Sequence, residues 1–336
     1  MLTEPENSNE LLVNEPATSP AAIPLQLPKL TIAVPCFNEE EVLPETAARL
    51  GLLLEELLRT ALVHETAVYF IDDGSTDRTW PVIEDLALND GRIHGIKLSR
   101  NYGHQSALLA GLLTVPGDVV ISVDADLQDD LSAIKNMLAA HLAGAEIVYG
   151  IRRRRRSDTY FKRGSAEGYY RLLQAMGVRL IFNHADYRLL SRRAIEALRN
   201  YGEANIFLRG LIPQLGFNSA TVYYDRQERF AGKSKYPVSK MIGLAIEGIT
   251  SFSELPLKLI TILGILISFG SFGMALWALA VRIWNPSAIP GWASIVIPLY
   301  LLGGIQLLCM GVIGQYLAKV YSETKRRPRF IIEKTL

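Results

Sequence analysis

Asp118-Val-Val-Ile-Ser-Val-Asp124-Ala-Asp126-Leu-Gln128 is an apolar run that ends in two carboxylates and an amide. The run reads as a buried strand, so Asp124, Asp126 and Gln128 arrive together on one turn at its end. Hard oxygen ligands grouped in this way suit Mg2+ or Mn2+, ions that keep coordination positions open for substrate phosphates. These three residues are therefore the candidate metal ligands, and a metal-bridged diphosphate is the candidate substrate group. An Asp-Xaa-Asp turn alone is common; one that follows a wholly apolar strand is less so.

Working outward from this strand, apolar runs alternate with stretches of helical period. Strands are expected at 31–34, 68–71, 93–98, 119–123 and 147–149, and helices at 42–58, 79–88, 105–113 and 131–142. That alternation predicts an α/β domain with a mostly parallel sheet wound by right-handed crossovers. Ligands bind such sheets beyond the carboxyl ends of the strands. The turns Asn38-Glu39-Glu40, Asp72-Asp73-Gly74-Ser75 and Asp124-Ala125-Asp126 would converge there.

The rest of the chain has a different character. Segments 259–281 and 292–318 contain no charged residue, and a bilayer core of roughly 30 Å needs about 20 apolar residues. A two-helix transmembrane hairpin is expected. Lys258 precedes it, Lys319, Lys325, Arg326, Arg327 and Arg329 follow it, and the connection is uncharged apart from Arg282 at its edge. Positive-inside bias then places the catalytic domain and both termini in the cytoplasm, as a multi-pass protein of the inner membrane. Segment 236–258 has the spacing of an amphipathic helix, either interfacial or packed on the soluble domain. The division expected is a disordered tail at 1–28, a soluble domain at 29–235, the interfacial region at 236–258, the hairpin at 259–318 and a basic tail at 319–336. Seven glycines in the two spans, such as Gly264, Gly303 and Gly311, would permit close helix packing within a chain or in a homo-oligomer.

Composition removes several function classes. Lys and Arg total 35 against 34 Asp and Glu, a net charge of +1 that argues against nucleic acid as a partner. The cysteines, Cys36 and Cys309, lie in different parts of the chain and form neither a plausible disulfide nor a metal motif. No Gly-Xaa-Gly-Xaa-Xaa-Gly follows an expected strand, which disfavours a dinucleotide-dependent dehydrogenase.

In Asp72-Asp73-Gly74-Ser75-Thr76-Asp77, helix capping accounts for the last three residues and not for the first two. Adjacent carboxylates repel unless something cationic or hydrogen-bonding lies between them, so Asp72 and Asp73 are expected to contact the base and ribose of a nucleotide. Segment 225–236 carries Arg226, Arg229, Lys233 and Lys235 around Gly232. Such a loop could close on two phosphates or attract anionic headgroups.

Taken together, VPCFNEEE, IDDGSTD, SRNYGHQSALLAGL, VDADLQ, DYRLLSRRA and RFAGKSKY resemble the polyisoprenyl-phosphate branch of glycosyltransferase family 2. That branch includes dolichyl-phosphate mannose synthases and the GtrB-like undecaprenyl-phosphate glucosyltransferases of O-antigen modification; the two-span tail is more similar to the latter. The resemblance implies a GT-A fold. It puts Pro35, Asn38, Glu40, Asp73 and Asp124 near the nucleotide sugar, and Asp124, Asp126 and Gln128 around Mg2+ or Mn2+. It makes Arg229 and Lys235 catalytic clamps on the phosphates and brings Arg152 to the lipid phosphate. It also turns Asp186 toward the acceptor, a position often given to a general base. A phosphate monoester, whose second pKa is about 6, needs little deprotonation at neutral pH, so Asp186 is expected to orient the acceptor or a sugar hydroxyl. Its other reading is an ion pair with Arg188. The implied reaction is inverting transfer of glucose from UDP-glucose to undecaprenyl phosphate, for lipopolysaccharide O-antigen or other cell-surface glycans. GDP-mannose or a UDP-aminosugar as donor, or a non-catalytic membrane anchor of the same fold, are the alternatives. A processive synthase is disfavoured, because Gln-Xaa-Xaa-Arg-Trp is absent and two spans are too few for a polymer channel.

Overall fold

A computed structural model describes residues 27–153, 184–203, 207–225, 255–284 and 292–336. Strands β1 (Lys29–Cys36), β2 (Glu65–Asp72), β3 (Ile93–Leu98) and β4 (Val119–Ser122) pair in parallel in the order β3-β2-β1-β4. Between them lie α1 (Leu43–Arg59), α2 (Thr79–Asn89) and α3 (His104–Thr114). Each helix begins within two residues of its expected start. Pro44 opens α1, where its fixed φ suits the first turn. Leu43, Ala47, Leu50, Leu54 and Leu57 then form the buried stripe of α1, so Leu50→Ala would cost about 2–5 kcal/mol.

After β4 come α4 (Ala133–Leu142), β5 (Ile147–Arg152), β6 (His184–Ser191), α5 (Arg192–Arg199), α6 (Leu208–Gln214) and β7 (Ser219–Tyr224). Among the described residues one eight-stranded sheet forms, ordered β7-β5-β6-β4-β1-β2-β3-β8. The sheet is mixed: β6 is antiparallel to β4 and β5, and the C-terminal β8 (Ile332–Thr335) is antiparallel to β3. Side-chain alternation along β1 divides the core. Leu30, Ile32 and Val34 face α1, α2 and α4, whereas Ala33 packs with the apolar α3 on the other face.

The carboxyl ends of β1, β2 and β4 share one edge, as parallel pairing requires. Because β6 runs the other way, with Arg188 opposite Ser122, its beginning lies at that same edge. Asp186 is thereby carried to the end of β4 from a distant part of the sequence.

Segment 319–336, expected as a basic tail, is corrected in its last residues, which form β8. Leu336 N–H donates to the Gly95 carbonyl at 2.9 Å and Ser99 N–H to that of Ile331 at 3.0 Å. Preceding β8 are α7 (Leu255–Trp284), of 30 residues, and α8 (Trp292–Thr324), of 33. Among the described residues no helix is long and apolar enough to cross a membrane. The stretches 259–281 and 292–318 within these helices are uncharged in the sequence. The amphipathic helix expected at 236–258 lies, for residues 236–254, outside the described residues.

Candidate active site

The strand edge encloses a pocket of about 410 Å³ whose lining includes Pro35, Phe37, Asp73, Asp124, Asp126 and Asp186. Three turns build its walls, and they are tied to one another by side chains. Asn38 accepts from Thr76 N–H at 2.9 Å, and its own N–H donates to Ser75 Oγ at 3.0 Å. Glu40 accepts from Arg78 N–H at 2.8 Å. Asn38 and Glu40 thus join the β1–α1 turn to the β2–α2 turn, and neither is among the lining residues.

The two adjacent carboxylates part company because successive strand residues point to opposite faces. Asp73 lines the pocket and accepts from Tyr102 N–H at 2.7 Å and Gly103 N–H at 2.9 Å. Asp72 is fully buried, caps Ser75 N–H at 3.0 Å and does not line the pocket. Asp72, for which a base or ribose contact is expected, is thus placed as a support of the turn. Burial raises the pKa of both, against the pull of these hydrogen bonds. Gly74, between the two turns, has φ +67°, and a Cβ there would lie 2.4 Å from the Arg100 carbonyl carbon. Only glycine accommodates both the left-handed backbone and that approach.

Asp124 and Asp126 line the pocket floor, and Gln128 lies behind them, 5% exposed. Leu127 adopts φ +56°, and Gln128 N–H donates to Asp126 Oδ1 at 3.2 Å, which folds the turn back on itself. Thr46 Oγ1, from α1, holds the Ala125 carbonyl at 2.9 Å. Burial pushes the Asp124 carboxyl up to about 6; His104 opposes the shift, and Asp129, Asp186 and Asp126 add to it. Gln128 Oε1 is buried without a hydrogen-bond partner among the described residues. A raised carboxylate and an orphaned amide oxygen on one turn fit a hard cation, since a cation would relieve both. Among the described residues no group of three His, Cys, Asp or Glu is placed to hold a metal ion by itself.

Asp186 has the opposite environment. It pairs with the buried Arg188 and with Arg209 (Nη2 to Oδ2 3.0 Å, Nε to Oδ1 3.3 Å), and it accepts from Gln105 Nε2 at 3.1 Å. His104 Nε2 stands 3.5 Å from Asp186 and 3.7 Å from Asp124. Although burial alone would raise it, these partners hold the Asp186 carboxyl well below the usual range. Burial likewise opposes the charge on His104, but its two carboxylate neighbours win and its pKa rises.

Sequence reasoning assigned nothing to His104 and overlooked Arg209 and Phe37, all three of which line the pocket. A signal for Arg209 existed: it is the lone charge in Phe207-Leu-Arg-Gly-Leu-Ile212. Arg152, expected to reach a lipid phosphate, is engaged within the protein. Its guanidinium lies against Asp129 (3.3 Å), Tyr224 (3.0 Å) and, at 4.0 Å, Asp124. Arg229 and Lys235 lie outside the described residues.

Residues 31–199 match the family model described as glycosyl transferase family 2. The chain belongs to that family. It is 48% identical over 309 residues to the "Uncharacterized glycosyltransferase YkoT" of Bacillus subtilis, covering 91% of each chain. It is 37% identical to the "Bactoprenol glucosyl transferase" of Shigella phage SfX and 36% identical to the "Prophage bactoprenol glucosyl transferase homolog" of Escherichia coli, in each case over 91% of this chain and 99% of the relative. The fold is GT-A, a Rossmann-like mixed sheet, and the protein is a glycosyltransferase. In this family member the pocket at the β1, β2 and β4 ends is the candidate active site.

Proposed function

We propose that this glycosyltransferase moves a sugar from a nucleotide diphosphate donor, UDP-glucose first among them, to a polyisoprenyl phosphate at the cytoplasmic face of the inner membrane. The observation that carries the reading is the Asp124–Gln128 turn, whose raised carboxylate and unpartnered amide oxygen seek a cation at the floor of a nucleotide-sized pocket. Asp124, Asp126 and Gln128 would hold Mg2+ or Mn2+. A bound ion of that kind supplies charge stabilisation for the departing diphosphate.

The protein's own groups do the rest. Phe37, 43% exposed at the pocket rim, offers a face to the base, and Asp73 fixes the wall beside it. Asp186, held strongly acidic, is unsuited to take a proton; it orients Arg209 toward the pocket, where the guanidinium can receive phosphate oxygens. The acceptor phosphate is already ionised near neutral pH. Its attack on the face of the sugar opposite the leaving diphosphate would invert the anomeric centre and require no covalent intermediate.

Support for the lipid acceptor comes from the names of the bactoprenol relatives, whose alignment runs through nearly their whole length. Support for a membrane hairpin comes from α7 and α8. Segment 259–281, uncharged, would rise about 35 Å as a helix, and Leu266, Phe269, Trp277, Leu299 and Leu307 are each more than half exposed. The pairing of β8 with β3 returns the chain after α8 to the sheet, which supports an even number of crossings, as do the basic residues flanking the helices.

The test is transfer of radiolabelled glucose from UDP-glucose to undecaprenyl phosphate in detergent, with and without Mg2+, using Asp126→Ala as the control. Metal-dependent label in the lipid fraction, lost in the variant, is the expected result. Transfer from another nucleotide sugar alone would refute the donor, and no transfer from any donor would overturn the catalytic reading.

A further inference from the structure

Asp129 follows the metal-binding turn directly and has no part in the reaction as described, yet its side chain is fully buried. A buried carboxylate needs compensation. Only Oδ1 receives it among the described residues: Tyr224 Oη donates at 2.6 Å and Arg152 Nη2 at 3.3 Å, whereas Oδ2 has no partner. Arg152 Nε in turn donates to Tyr224 Oη at 3.0 Å. The three groups form a closed triangle drawn from the β4–α4 turn, β5 and β7. Tyr224 is braced edge-on by Tyr187, ring centres 5.1 Å apart, and Tyr187 Oη donates to the Asp130 carbonyl at 3.0 Å.

The triangle lies beside Asp124. Arg152 Nη2 is 4.0 Å from Asp124 Oδ2 and 3.3 Å from Asp129 Oδ1, so the guanidinium stands between two carboxylates and is bonded to one. We infer that Asp129 and Tyr224 are positioning residues that hold Arg152 off Asp124, leaving the Asp124 carboxylate for a divalent cation while bracing the turn that presents it. This rests on the reading of Asp124, Asp126 and Gln128 as metal ligands. Without the Asp129 charge, Arg152 has one carboxylate left to approach, and it becomes a resident competitor for the metal. Burial disfavours the cation on Arg152, but Tyr224, Asp129 and Asp124 more than offset this and raise its pKa, so it does not yield the site by losing its proton.

A merely structural brace and a charge-holding one predict different genetics. If the triangle only packs the turn, losing a second member adds to the damage. If it restrains Arg152, removing Arg152 repairs the loss of Asp129. The experiment is Mn2+ binding to the full-length protein in detergent, read from the free-ion electron paramagnetic resonance signal without donor or acceptor. Asp129→Asn should weaken binding about 10- to 100-fold, the range for loss of a residue that orients a metal ligand. Asp129→Asn combined with Arg152→Met should recover most of that loss. Unchanged affinity in a folded Asp129→Asn protein, or a double variant no better than the single, would overturn the inference. Should Asp129→Asn fail to fold, Tyr224→Phe keeps the ring contact with Tyr187 and removes only the shared hydroxyl. It should weaken Mn2+ binding in the same direction, with the same repair by Arg152→Met, and no change would count against the idea. Wild-type protein that binds no Mn2+ would remove the metal reading and this inference together; wild-type binding that every variant keeps would remove this inference alone.

Discussion

Two carboxylates lining one pocket are pushed in opposite directions. Asp124 is raised to about 6 by burial and by acidic neighbours, whereas Asp186, surrounded by His104, Arg188 and Arg209, is held well below the usual range. His104 stands between them, within 3.7 Å of each. Paired groups whose environments separate them in this way have separate tasks. Asp186 has its cations built in and is an anchor. Asp124 keeps 31% of its side chain exposed, with His104 3.7 Å away and Arg152 4.0 Å away, which suits a metal ligand.

The largest effect should come from the turn proposed to hold the metal. Asp126→Ala should reduce sugar transfer by about 10³-fold, corresponding to several kcal/mol of lost charge stabilisation on the leaving group, with a stability loss of only about 1 kcal/mol from the hydrogen bond to Gln128 N–H. A variant that loses stability and activity in parallel would mean that the turn is structural and would erase the contrast with Asp186.

Asp186→Asn should do the reverse. Arg188 is fully buried, so removing the carboxylate it faces should cost about 3–5 kcal/mol of stability in denaturant unfolding. The pH dependence follows the same sign. A carboxylate whose folded pKa is depressed contributes stability above the ordinary value near 3.9, lost as pH falls through the folded pKa. Wild-type protein should therefore lose an increment of stability on acidification below pH 4 that Asp186→Asn lacks.

Much of this division was legible in the sequence, and the part that was not has physical causes. Strands β1 to β5 and helices α1 to α4 announce themselves because each puts an apolar face or run against the sheet. β6 does not, since His184-Ala-Asp-Tyr-Arg-Leu-Leu-Ser191 buries Asp186 and Arg188 as a neutralised pair that in sequence reads as two surface charges. β8 was hidden for a related reason: Glu333 and Lys334 face solvent at the sheet edge, and Lys97 and Glu84 provide their partners from elsewhere in the chain. The turn at Asp124 could be read as a unit because Asp124, Asp126 and Gln128 lie within five consecutive residues. The roles of Arg209 and of the Arg152 triangle were not, because they depend on which strands lie side by side. Asp72 and Asp73 could not be told apart without knowing where β2 ends relative to the edge.

Asp124 itself gives a smaller, pH-dependent effect. Its pKa near 6 means that a proton competes with a divalent cation below that value. Mn2+ affinity should fall about tenfold between pH 7 and pH 5 through this one group. Without metal the sign for stability opposes that of Asp186: a raised pKa makes the folded state bind more protons than the unfolded chain, so the Asp124 contribution declines as pH rises from about 4 to about 6. Mn2+ affinity independent of pH across this window would place the ion elsewhere.

The smallest effect on stability should come from Arg209→Lys, and it separates the two arginines that share Asp186. Arg188 is fully buried, while Arg209 is 42% exposed and lines the pocket. Partly exposed pairs contribute about 1 kcal/mol or less, so lysine at 209 should leave unfolding nearly unchanged. Its ammonium, however, cannot reproduce the two-point contact that Nε and Nη2 make with Asp186 and that aims the guanidinium. Transfer should therefore lose efficiency mainly through a higher KM for donor or acceptor, with kcat less affected. A stability loss as large as that of Asp186→Asn would instead make Arg209 the principal anchor, leaving the pocket with no arginine spare for substrate. The contrast between the two carboxylates would then be one of charge alone and not of function.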